Sequence, residues 1–234
     1  METKVRNKQI FPPEVIELLK AFYAAGFFEE SMLIGSWVMP LYHEAFGIRY
    51  ALRTLDIDFA VKFASRSKTQ KADIEKIITD LGYLLVISQS GIRKFTRENL
   101  AVEFVAHRKG GRDDEVVSVR QWNITAAPLP FVDILLSFPF IADFGDFKIK
   151  APLPEAFFVH KLITSQRRFK ETKKDKDLEQ CSVIAGHIDP DRLRTVIESA
   201  KFSKKTQKSL RASCEAIDFP PQRLGLKQLC GGKS

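Results

Sequence analysis

Cysteine is scarce in this chain. The three present, Cys181, Cys214 and Cys230, are odd in number and lack metal-ligand spacing. That excludes a disulfide framework and predicts free thiols in a reducing cytoplasm. The histidines His43, His107, His160 and His187 are scattered and suggest no zinc site. Long apolar runs are missing too. The longest stretch without a charge, Ser31 to His43, is interrupted by Pro40, and a membrane helix needs ~20 apolar residues. Met1 to Gln9 is polar and lacks the apolar core of a signal peptide. No internal repeat and no signature of a named RNA-binding module is present.

What remains is the composition of a folded soluble protein. Of 234 residues, 44% are hydrophobic and 28% charged. A chain of this length buries a core large enough to need no covalent staple. The net charge of +8 is unevenly placed. Residues 1–150 carry 20 Lys/Arg against 19 Asp/Glu, whereas residues 151–234 carry 17 against 10. The basic excess of the last third suits either solvated helix faces or a surface for a polyanion.

Hydrophobic periodicity divides the chain near residue 150. Before it, helical and strand patterns alternate. Val15, Leu18, Leu19 and Phe22 follow a helical spacing after Pro12-Pro13. Met32-Leu33-Ile34 reads as a buried strand, and Trp37 to Phe46 as a helix. Leu55 to Phe63 alternates apolar residues with Asp56 and Asp58. Ala72 to Leu81 predicts a helix, Tyr83–Ser88 and Ile92–Thr96 a hairpin, and Leu100–Ala106 a strand containing Glu103. Val116–Val119 and Phe131–Leu136 are candidate further strands. After Ala151-Pro152-Leu153-Pro154 the pattern is helical, and Phe219–Ser234 reads as a loose tail. The fold expected is α+β, a small mixed sheet with flanking helices followed by a helical half. The expected divisions are 1–150, 151–220 and a flexible 221–234.

The chemistry lies in two short blocks. Gly35-Ser36 ends a strand where a helix begins, and helix N-termini favour anions such as phosphate. Twenty positions after Ser36, Asp56 and Asp58 leave one strand face together. Paired carboxylates repel and favour a divalent cation, and hard oxygen donors select Mg²⁺ or Mn²⁺. Glu103 shares the alternation on a later strand and is the candidate third ligand. Gly-Ser alone is an ordinary turn, and Asp-x-Asp alone is an ordinary solvated edge. The two in order on a strand–helix–strand frame are the equipment of metal-assisted phosphoryl or nucleotidyl transfer.

Gly35-Ser36, Asp56-Ile57-Asp58 and the later acidic strand together resemble the polymerase-beta-type nucleotidyltransferase superfamily. Arg53-Thr54, His160-Lys161-Leu162-Ile163, Arg167-Arg168 and Lys176-Asp177-Leu178-Glu179-Gln180 extend the resemblance to the bacterial abortive-infection and toxin–antitoxin members. The chain departs from that pattern in having one glycine before Ser36 and no residue between Arg53 and Thr54. The resemblance implies transfer of a nucleoside monophosphate from an NTP, with a cleft between the two halves as the site. It implies nucleotide contacts from Gly35, Ser36, Arg53, Thr54 and Lys161, metal ligation by Asp56, Asp58 and Glu103, and a catalytic role for Asp177. The general base is left between Glu103 and Asp177. Arg167 and Arg168 are candidates for an acceptor, RNA or protein. An inactive nucleotide- or RNA-binding regulator is the alternative, and any partner protein is left open.

Overall fold

The computed structural model describes residues 1–52, 54–62, 71–89, 91–107 and 116–226. The chain forms two compact units, Met1–Pro152 and Leu153–Ser234. The architecture is α+β with a helical C-terminal part. Among the described residues, no helix is long and apolar enough to cross a membrane.

Among its described residues the first unit holds the strands β1 (Glu2–Lys4), β2 (Ser31–Ile34), β3 (Asp56–Val61), β4 (Leu84–Ile87), β5 (Arg93–Arg97), β6 (Leu100–His107), β7 (Val117–Val119), β8 (Ile124–Leu129), β9 (Pro139–Asp143) and β10 (Lys148–Pro152). Its helices are α1 (Pro13–Ala24), α2 (Met39–Phe46), α3 (Ile74–Asp80) and α4 (Val132–Ser137). The main sheet runs β2-β3-β6-β5-β4, with β8 also paired to β6 and β7 paired to β8. A smaller sheet runs β1-β9-β10.

Alternation gives the main sheet two chemically different faces. Ile57, Phe59 and Val61 of β3, with Val102 and Phe104 of β6, are fully or almost fully buried. Phe59 and Phe104 stand opposite each other in the parallel β3–β6 register. Phe22 and Phe27 close over them with centroids 5.0 and 5.7 Å from Phe59. Aromatic edges and faces in this range attract beyond area burial alone. The opposite face carries Asp56, Asp58 and Glu103, all half-buried. Strand β4 closes the sheet at one end, and Leu84, Leu85, Val86 and Ile87 are all exposed, Leu84 by 72% and Ile87 by 60%.

Among its described residues the second unit holds α5 (Pro154–Ser165), α6 (Glu171–Ala185), α7 (Pro190–Ser199), α8 (Lys204–Ala216) and a 3₁₀ turn at Pro221–Leu224. Every residue of α5 is buried, and α6, α7 and α8 all pack against it. A helix enclosed on all sides must satisfy its polar groups internally. Ser165 Oγ lies 3.0 Å from Ser213 Oγ, and Glu155 Oε1 accepts from the Asp189 backbone N–H at 3.0 Å.

Several elements differ from the sequence expectation. Phe131–Leu136 is not a strand: Val132–Ser137 is helical, entered through Phe131 at φ 62°. A short apolar run does not distinguish strand from helix by periodicity. Four strands, β1, β8, β9 and β10, were not anticipated, and β8, β9 and β10 each contain a proline, Pro128, Pro139 and Pro152. Trp37 does not open an α-helix. Gly35–Val38 is a 3₁₀ turn, and α2 begins at Met39 with Pro40 in its first turn. Phe219 and Leu224 are buried, so ordered packing extends into the expected tail. Residues 227–234, Cys230 among them, lie outside the described residues, as do 63–70 and 108–115.

Candidate active site

Strand register assembles the acidic residues. β2 runs antiparallel to β3 with Ile34 opposite Asp58. β6 runs parallel to β3 with Asp58 opposite Glu103 and Asp56 opposite Ala101. Asp58 and Glu103 are therefore direct neighbours, and Asp56 lies two residues along the same face. The backbone leading into β3 is pinned where the Ala101 N–H donates to the Leu55 carbonyl at 3.0 Å. Thr54 precedes that point and is half-buried; Arg53 lies outside the described residues.

The turn after β2 comes directly against this pair. Gly35 has φ +68°, a region that favours glycine. A Cβ there would overlap the Asp58 carboxylate and lie 3.2 Å from Asp58 Cβ. The glycine is thus required by the acid it touches. Ser36 follows, buried within the 3₁₀ turn. This corrects the expected α-helical N-terminus at Gly35-Ser36, because the α-helix proper starts three residues after Ser36.

A cation that the motifs did not reveal completes the cluster. Lys94 of β5 places Nζ 2.6 Å from Glu103 Oε1 and 3.0 Å from Asp56 Oδ1. Burial opposes its charge, yet the hydrogen bonds to Glu103 and Asp56 outweigh that and hold its pKa above the ordinary lysine value. Asp56, Asp58 and Glu103 suit a hard divalent cation in donor type and in register, and Gly35 leaves the approach to Asp58 clear of a side chain. Among the described residues no three His, Cys, Asp or Glu side chains are drawn together closely enough to hold a metal. An ammonium instead lies between two of the three carboxylates.

Lys161 and Asp177, predicted as separate functional residues, form a buried ion pair within the C-terminal unit. Arg168 Nε donates to the other Asp177 oxygen at 2.8 Å. Burial alone would raise the Asp177 pKa, but the charges of Lys161 and Arg168 prevail and hold it below the ordinary value. Asp177 is a fully engaged counter-ion between α5 and the residues leading into α6. Arg168 is tied to it, and Arg167 is exposed. The spacing of 16 residues between Lys161 and Asp177 was visible in the sequence. The Lys94 bridge was not, because it depends on the register that sets β5 beside β6 and β6 beside β3, with Asp56 38 residues away in the chain.

No curated protein matches the sequence. A solved structure, an antigenic nucleotidyltransferase-like protein from Paracoccidioides brasiliensis, is similar with 14% identity and a TM-score of 0.46. The similarity covers 92% of this chain and 95% of that one. A nucleotidyltransferase family model matches residues 13–203, a span that takes in Gly35-Ser36, both acidic strands and the Lys161–Asp177 pair, and the chain belongs to that nucleotidyltransferase family.

Proposed function

We propose that the protein moves a nucleoside monophosphate from an NTP to an acceptor, with Mg²⁺ or Mn²⁺ held by Asp56, Asp58 and Glu103. The observation that carries this reading is the closure of the Gly35 turn on Asp58, with Glu103 directly opposite. The glycine turn and the carboxylates of two neighbouring strands, Asp56 and Asp58 of β3 and Glu103 of β6, lie on one sheet face. A divalent cation bound there supplies charge neutralisation and Lewis-acid polarisation at the phosphoryl oxygens.

The residues then divide the work. Asp56 and Asp58 hold position on a rigid central strand. Gly35 and Ser36, with Thr54 and Arg53, contact the nucleotide. Glu103 takes the proton from the acceptor hydroxyl. The acceptor oxygen forms a bond to the α-phosphorus, the bond to the β-phosphate oxygen breaks, and pyrophosphate leaves. Asp177, with its oxygens engaged by Lys161 and Arg168, serves as their counter-ion within the C-terminal unit rather than as the base.

The likeness of the motifs to abortive-infection and toxin–antitoxin enzymes extends the reading to a macromolecular acceptor, RNA or protein. Arg167 and Arg168 are the acceptor contacts on this reading. A second reading, an inactive nucleotide- or RNA-binding regulator, has one observation in its favour: Lys94 bridges two of the three carboxylates. Incubation with each labelled NTP and total RNA or protein, with product mass as the readout, separates them. Asp56→Asn and Asp58→Asn should each lower transfer by roughly 10²-fold or more while the circular dichroism spectrum stays native. Near-native transfer by either folded variant would defeat the active-site assignment.

A further inference from the structure

Lys94 belongs to none of the motifs, yet register explains its place. β5 runs antiparallel to β6 with Phe95 opposite Val102. The next step along that ladder sets Lys94 beside Glu103. Asp56, Asp58, Glu103 and Lys94 therefore share one face across three adjacent strands, with three negative charges and one positive. The Lys94 side chain is about a third exposed, so its stem can rotate into solvent without opening a cavity. A divalent cation carries twice the charge and approaches carboxylate oxygens to ~2.0–2.6 Å, closer than the 2.6 and 3.0 Å of the ammonium contacts. Both cations draw on the carboxylates of Asp56 and Glu103.

We propose that Lys94 is a tethered counter-cation: it bridges Asp56 and Glu103 when no divalent cation is bound and swings out when one binds. It weakens cation affinity, and it keeps the acidic strands from repelling each other before the cation arrives. Activity then has a threshold in divalent cation concentration that Lys94 sets. The inference rests on the metal reading above, and it concerns a residue to which that reading gives no part.

The test uses the full chain and Mn²⁺ as the probe. Lys94→Met keeps the length of the stem and removes the charge. Calorimetry should show Mn²⁺ bound about tenfold more tightly by Lys94→Met than by the original protein, the effect of losing two partly exposed ion pairs. In EDTA its Tm should fall below that of the original protein, and Mn²⁺ should raise it by more. Lys94→Arg, which keeps the charge, should stay closer to the original in both measurements. Lys94→Gln serves the same comparison if Lys94→Met does not fold. Equal or weaker Mn²⁺ binding by the neutral variants, with binding by the original protein intact, overturns the counter-cation role alone. Absence of Mn²⁺ binding by every folded form overturns the metal reading together with it.

Discussion

Gly35 and Gly47 have nearly the same backbone, with φ of +68° and +71°, and very different surroundings. A Cβ at Gly47 meets nothing within 4 Å, whereas one at Gly35 collides with Asp58. Left-handed backbone costs a non-glycine residue about 1–2 kcal/mol, and overpacking adds roughly 1–3 kcal/mol. Gly47→Ala should therefore cost only the first amount, and Gly35→Ala both. At ~2–4 °C per kcal/mol for a chain of this size, thermal melts resolve the difference. Equal Tm losses would show that Asp58 does not press on the turn. Asp56, Asp58 and Gly35 were legible in the sequence because polar residues interrupt otherwise regular apolar patterns. That Gly35 is glycine on account of Asp58 was not, since the reason lies in strand pairing. Lys94 was hidden for the same cause: nothing in Arg93-Lys94-Phe95 distinguishes a bridging lysine from a solvated one.

At the scale of elements, helix α5 shows how a polar bolt can sit in a core. Its partner Asp177 is buried, 2% exposed, and holds both Lys161 and Arg168. Removing one member of such a group leaves buried charge uncompensated, at a cost of about 3–5 kcal/mol. Asp177→Asn should destabilise the C-terminal unit by an amount of that order at pH 7. The folded carboxyl titrates below the ordinary 3.8, so the unfolded chain takes up the proton first as pH falls. The stability Asp177 contributes is complete above about pH 5 and is lost as pH drops through 3.8 and then the folded value. Denaturant melts across that range should show the gap between Asp177→Asn and the original protein narrowing toward low pH. A gap independent of pH would mean the ion pair is not its source. The helices of this unit were readable from periodicity, although the opening of α6 was not. Its first two turns, Glu171–Asp177, are almost wholly charged and carry no apolar rhythm to read.

At the scale of the molecule, a net charge of +8 stands beside a sheet edge, β4, that pairs only with β5 among the described residues. Edge strands in soluble proteins usually carry a charge, a proline or a bulge that stops another strand from pairing. β4 has none: Leu84, Leu85, Val86 and Ile87 are exposed side by side, with one backbone edge paired to β5. At low ionic strength the net charge of +8 holds copies of the protein apart. At ~0.1 M salt the Debye length shrinks to about 10 Å, and that protection fades. Colloidal behaviour should then turn on salt in an unusual direction, with light scattering rising as salt is added rather than falling. Val86→Lys places a charge on the edge and should keep scattering flat across the same series. If both proteins scatter alike, β4 is not the adhesive element. If they diverge, the conditions that best preserve this protein in solution are dilute and low in salt, and the reason is four consecutive residues of one short strand.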